Sequence, residues 1–152
     1  MLMPVVSDPD DNYARFQYAY EAWLKPSLEF GAFRRPDGTL WVTHDFEHLW
    51  NRISSGQALF WEGEQAAFVT EVYQSPTGLR SHHMWLAGGE LEGIVDMVPE
   101  LEQWGREHGC HRQTGSGRRG WLRKFTGYEE MGVRKQKSLL VDAGGKPICS
   151  AT

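Results

Sequence analysis

The sequence predicts an α+β fold of mixed α/β character, a twisted mixed sheet flanked by helices. Three observations lead there. Short runs of aromatic and β-branched residues at 58–61, 66–73 and 81–86 are separated only by turn residues, the pattern of an antiparallel meander. Stripes of helical period precede and follow that meander. A further strand-like run at 110–114 then comes after the longest helical stretch, which requires a crossover connection.

Residues 7–24 read as the first helix. Ser7 or Asp8 can cap it, Pro9 suits its first position, and Asp10 and Asp11 favour the positive end of its dipole. Tyr13, Phe16, Tyr20, Trp23 and Leu24 recur at helical spacing, and Pro26 is expected to end the helix. Pro36-Asp37-Gly38 marks a turn. A second helix should begin near Thr43, with Phe46, Leu49, Trp50 and Ile53 as its apolar stripe and Gly56 as its stop. Three strands follow, turning at Glu62-Gly63-Glu64 and Ser75-Pro76-Thr77-Gly78, and Gly88-Gly89 should break the third. The long helix spans 90–108, and Pro99 is expected to kink or split it. A strand at 110–114, a short helix carrying Trp121, Leu122 and Phe125, and a last strand at 133–141 complete the domain.

The 152 residues, 40% hydrophobic and 24% charged, suit one domain that buries roughly 70% of the surface of its unfolded chain. The helical segment 1–56 and a loose tail at 142–152 are its outlying parts. Seven Trp promise a core of large flat side chains. Two cysteines make no disulfide framework, no apolar run reaches membrane length, and the first residues lack a basic leader. The expectation is a soluble protein of a reducing compartment, or an exported particle component, with no membrane partner.

The net charge of −4 is unevenly spread. Residues 106–152 hold ten Lys and Arg against four Asp and Glu, a net +6, and the remainder is −10. The basic third could face an acidic partner or, as the secondary candidate, a nucleic acid. The plainer reading is a solvated face. Gly115-Ser116-Gly117-Arg118-Arg119-Gly120, with Arg123 and Lys124 on the next turn, is the best candidate contact for an anion or a partner. His44-Asp45-Phe46-Glu47-His48 spells H-x-x-E-H, but no third ligand is marked and no metal is expected. His82, His83, His108 and His111 read as surface or core-edge residues, and Cys110 as a small buried one.

The order of elements resembles the GNAT superfamily, the GCN5-related N-acetyltransferases. Trp104-Gly105-Arg106-Glu107-His108-Gly109-Cys110 is similar to the family's helix-to-strand passage, and Gly127-Tyr128 sits where the family has a late G-F. The chain most resembles small GNAT-like proteins of phage and prophage genomes. That likeness rests on Gly56 with Leu59-Phe60-Trp61, Gly88-Gly89-Glu90, 104–110, and Gly117-Arg118-Arg119-Gly120-Trp121. It covers roughly residues 56–141.

The resemblance implies an acetyl-CoA site at the start of the long helix, where Leu86, Ala87, Gly88 and Gly89 would be the cofactor-binding residues. The family's basic residue is missing there, and Glu90 and Glu92 bring carboxylates to the place where a pyrophosphate would dock. The family's late-helix Tyr is replaced by Arg123. Glu71, His83 and Tyr128 are the catalytic candidates, although Glu71 and His83 also fit strand positions that simply face solvent. Two functions remain open. One is a non-catalytic accessory or virion-associated component acting through protein contacts with phage structural proteins or with itself, using no cofactor. The other is an acetyl-CoA-dependent N-acetyltransferase with a divergent cofactor loop.

Overall fold

The computed structural model describes residues 3–5, 9–30, 32–116, 124–132 and 135–140. The first helix does not stop at Pro26. Helix α1 (Pro9–Ala19) passes into a π-helical turn (Tyr20–Leu24) and on into α2 (Lys25–Glu29). Pro26 stands in the first turn of α2, where its missing N–H costs nothing. The π turn, closed by the Lys25 N–H on the Tyr20 carbonyl, absorbs the break. The Pro36-Asp37-Gly38 turn joins a short antiparallel hairpin, β1 (Phe33–Arg34) and β2 (Leu40–Trp41).

Helix α3 (Phe46–Ser54) starts at Asp45, whose carboxylate accepts the His48 N–H while the His48 ring reaches back to the Asp45 N–H, a capping box. Asp45 is accordingly held below the usual carboxylate range, first by the His48 N–H. Strands β3 (Leu59–Glu62), β4 (Ala66–Gln74) and β5 (Arg80–Gly89) form the antiparallel meander. Gly88 and Gly89 lie within β5 and do not break it, because both pair with β4, at Ala67 and Ala66. Helix α4 (Leu91–Glu107) crosses over to β6 (Arg112–Gly115), which pairs parallel to β5 and begins two residues later than Cys110. The sheet order is β3-β4-β5-β6.

Helix α4 is one helix through Pro99. A proline inside a helix costs about 3 kcal/mol. Ile94, Met97, Val98, Leu101 and Trp104 are buried on the face toward the sheet, each stabilising by roughly 1.5–3 kcal/mol, so packing overrides the break. Pro99 itself faces solvent. Residues 135–140 belong to no strand; the expected last strand fails over that stretch. The short helix with Trp121 and Leu122 and the tail 142–152 lie outside the described residues.

Two cores sandwich the sheet. One joins α1, α2 and α3 to it through Phe16, Leu24, Leu28, Leu49, Phe60, Ala67, Val69 and Leu86. Phe16 stacks on Phe46 at 5.5 Å and meets the Phe60 ring edge-on at 5.2 Å. The other joins α4 through Trp61, Phe68, Met84, Ala87 and the α4 stripe. The largest fully buried side chains are aromatic, Trp61, Phe16, Phe60 and Phe68, while aliphatic residues and alanine supply most of the other core positions. The register of β4 against β5 slips between Val69 and Thr70, which face Leu86 and Met84. Trp85 is the extra residue of this β-bulge, and the bulge turns both Trp85 and Leu86 toward the N-terminal helices.

Candidate functional site: the fork between β5 and β6

Strands β5 and β6 pair from Ser81 against Arg112 to Met84 against Gly115, with a last contact from the Ser116 N–H to the Met84 carbonyl at 3.4 Å. Beyond that point β5 continues for five residues that β6 does not accompany. The bulge at Trp85 sits at this fork and aims its indole at the face covered by the helices.

A polar cluster surrounds that indole. Glu71 of β4 and His83 of β5 are directly opposed in the register. The Arg52 guanidinium, from the last turn of α3, donates through Nη2 to Glu71 Oε2 and lies over the Trp85 ring at 5.6 Å. The His44 ring meets Trp85 edge-on at 4.8 Å. Burial, followed by the charges of Arg52 and His48, lowers the pKa of His44, which therefore favours the neutral imidazole. His83 Nδ1 hydrogen-bonds Thr114 Oγ1 at 2.8 Å, tying β5 to β6 just before they part.

Two catalytic candidates are thus brought together. Glu71 and His83 are half-buried rather than solvent-facing, because α3 lies over that end of the sheet. The third is elsewhere. Tyr128 packs against the α4-side core and its hydroxyl donates to Glu102 Oε2 at 2.8 Å. Burial, then the Glu102 carboxylate, drives the phenol pKa far above its ordinary value, which makes Tyr128 a poor proton donor. It lines a cavity of about 400 Å³ with Arg106, Cys110 and Arg112, on the opposite face from Glu71.

Three of the four cofactor candidates are buried, and Gly89 is exposed. Leu86 and Ala87 are buried in the two cores. The Ala87 N–H donates to Ser27 Oγ of α2 at 3.3 Å. Gly88 is buried under the π turn, and a Cβ there would stand 1.9 Å from the Trp23 carbonyl oxygen. Gly89, at φ +120°, abuts the Gln65 carbonyl of the β3–β4 turn, which also accepts the Glu90 N–H at 2.8 Å. Glu90 is the N-cap of α4 but its carboxylate accepts no N–H of the helix, so no acid occupies that helix end by hydrogen bonding. Glu90 and Glu92 are exposed and act there only through their charge. Of the candidate anion or partner contacts, Lys124 is exposed, and Arg118, Arg119 and Arg123 lie outside the described residues.

Sequence reasoning missed Arg52, His44 and Thr114 at the fork. One signal was available: Arg52 is three residues after Leu49, about 60° round the helix from it, at the margin of the apolar stripe. It also misplaced His82, which is wholly buried rather than at a surface or core edge. Trp61 Nε1 donates to Thr70 Oγ1 at 2.7 Å. Thr70 Oγ1 meets His82 Nε2 at 2.9 Å, and His82 Nδ1 meets Gln113 Oε1 at 3.0 Å. These partners exist because β3, β4 and β6 each turn a polar side chain to the same side as His82.

The Arg52–Glu71 pair is about one-third exposed, which limits its worth to about 1 kcal/mol. Arg52→Ala should lower the unfolding free energy read from urea denaturation by that much, and Arg52→Met with Glu71→Leu should restore it. A double variant no better than the single one would remove the ion pair as the reason.

A mixed sheet forked between its parallel strands, with helices on both faces, defines the GNAT-type acetyltransferase fold. Solved structures described as acetyltransferases are similar to this chain in fold. An acetyltransferase of Trypanosoma brucei superposes with a TM-score of 0.56 at 8% identity, covering 91% of this chain and 100% of that one. A probable acetyltransferase gives 0.53 at 12%, covering 93% and 97%. A predicted acetyltransferase of Clostridium acetobutylicum, solved with acetyl-CoA, gives 0.50 at 13%, covering 90% and 96%. At such identities the likeness speaks for fold. No family model matches the chain, and no curated protein does.

Proposed function

We propose that this chain keeps the acetyltransferase fold as a scaffold for protein contacts and does not transfer acyl groups. Its setting in this reading is that of a phage-type accessory or virion-associated component, in the host cytoplasm or in the particle. The covered strand carries the reading. The Ala87 N–H is engaged by Ser27, and the Trp23 carbonyl occupies the space over Gly88. A nucleotide thioester docking along this part of β5 would have to displace its own domain's helix. The acid–base groups argue the same way, since Glu71 is held by Arg52 and Tyr128 by Glu102.

One observation favours a second reading, an N-acetyltransferase with a divergent cofactor loop. Strand β6 ends at Gly115 while β5 runs on to Gly89, and His83, tied to Thr114 beside that end, is a residue type that can take a proton from an amine. Thermal unfolding with acetyl-CoA separates the two. A ligand at a hundred times its Kd adds about 2.7 kcal/mol, or roughly 5–10 °C for a chain of this size. The scaffold reading expects no shift at millimolar acetyl-CoA and no release of free CoA with an amine mixture. A shift of several degrees with turnover would establish the enzyme instead.

A further inference from the structure

A second concavity lies away from the fork, between the β1–β2 hairpin and residues 137–140. It encloses about 620 Å³ and is lined by Phe33, Trp41, Val42, Thr43, Lys137, Leu139 and Leu140. Its walls are apolar yet open to water: Trp41 is 56% exposed, Leu139 88% and Leu140 43%. Three large apolar side chains around one groove make a patch that monomeric proteins ordinarily keep only for binding. The groove is built rather than incidental. Phe33 and Trp41 oppose each other across the hairpin, ring edge to ring face at 6.3 Å, and buried Ser138 anchors the facing segment between Lys137 and Leu139.

The charges select the occupant. Among the lining residues there is one cation, Lys137, and no carboxylate. A second cation, Arg35, lies over the Trp41 ring at 4.8 Å. The acid nearest in the hairpin, Asp37, is turned onto Thr39, accepting its N–H at 2.9 Å and its hydroxyl at 2.6 Å. Those bonds hold Asp37 below the usual carboxylate range and keep it directed at the turn.

We propose that this groove binds an acidic peptide segment of a partner protein, with a bulky apolar side chain between Trp41 and Leu139 and carboxylates against Lys137 and Arg35. The proposal rests on the scaffold reading and names the surface that the scaffold would use. The open walls favour a peptide side chain over a small molecule, which would need most of its own surface buried. Aromatic anchors beside a rim charge are the parts of an interface that carry its binding energy.

The test uses fluorescence anisotropy on the whole chain with two labelled peptides of equal length. Each has a central leucine–phenylalanine pair, flanked by glutamates in one and by lysines in the other. The glutamate peptide should bind at least about tenfold tighter, a difference of about 1.4 kcal/mol. Trp41→Ala and Leu139→Ser should each weaken it by about tenfold or more. Leu139 is almost fully exposed, so its substitution leaves the core intact even if Trp41→Ala unfolds the hairpin. Arg35→Glu with Lys137→Glu should reverse the preference. Equal binding of both peptides, or binding that survives Leu139→Ser, would overturn the proposal. So would a dimer seen by sedimentation that Leu139→Ser abolishes, which would assign the groove to a second copy. If the glutamate peptide binds and acetyl-CoA is also turned over, the groove stands and the scaffold reading falls. If neither ligand binds, the groove falls and the scaffold reading stands.

Discussion

Gly88→Ala is expected to lower the stability of the chain by about 3 kcal/mol, at the upper end of what one added methyl group costs in a packed site. The added Cβ would stand 1.9 Å from the Trp23 carbonyl oxygen and 2.5 Å from its carbon. These are backbone atoms, which cannot swing aside as a side chain can. Either β5 or the π turn has to move, and moving the turn also breaks the Ser27 contact to Ala87. Gly78→Ala makes the control: it sits at φ +93° with open space around its Cβ, so its cost is backbone strain alone, about 1–2 kcal/mol. Urea denaturation of the two variants side by side reads the difference. A Gly88→Ala variant as stable as the parent would mean that the π turn does not rest on β5.

The second large effect falls on His82. His82→Ala removes a fully buried ring and leaves Thr70 and Gln113 without their shared partner. Lost packing and orphaned polar groups together should cost about 3 kcal/mol or more. The pH dependence has a definite sign. Burial, the leading cause, lowers the pKa of His82 in the folded chain, and the charges of His108 and His83 act in the same direction. Hydrogen bonding to Gln113 and to the Leu101 backbone opposes it more weakly. The unfolded chain takes up this proton near pH 6.5 and the folded chain only at lower pH. Stability from this group is therefore complete above about pH 6.5 and declines as pH falls toward the folded value, by at most about 1.4 kcal/mol per pH unit. His44, also lowered, adds in the same direction. His82→Gln should flatten the stability profile between pH 6.5 and 5, and an unchanged slope would exonerate the residue.

The elements legible in the sequence were those whose burial follows one period. The α3 stripe of Phe46, Leu49, Trp50 and Ile53 and the meander of β3 to β5 are of this kind. Glycine and proline misled where tertiary contacts overrode local preference. Pro99 stays inside α4 because five buried side chains hold the helix to the sheet, and Gly88-Gly89 remains in β5 because another backbone needs to approach it closely. The site was legible only in part. Glu71 and His83 could be marked as residue types on central strands, whereas their alignment depends on the strand register and on Arg52, 19 residues before Glu71. The bulge that turns Trp85 toward the helices has no signature in composition. Glu90 and Glu92 were legible as charges near the cofactor segment, but the groups covering that segment, Trp23 and Ser27, come from a helix more than 55 residues away.

Amide-resolved NMR tests the covered strand most directly. Spectra of the labelled chain, with and without millimolar acetyl-CoA, would follow the amides of residues 86–93 and their exchange with deuterium. The account predicts a slowly exchanging Ala87 amide, held by Ser27, whose shift and protection do not change when acetyl-CoA is added. Saturating shifts at Ala87, Gly88 and Leu91, together with faster exchange at Ala87 as α2 lifts away, would contradict it.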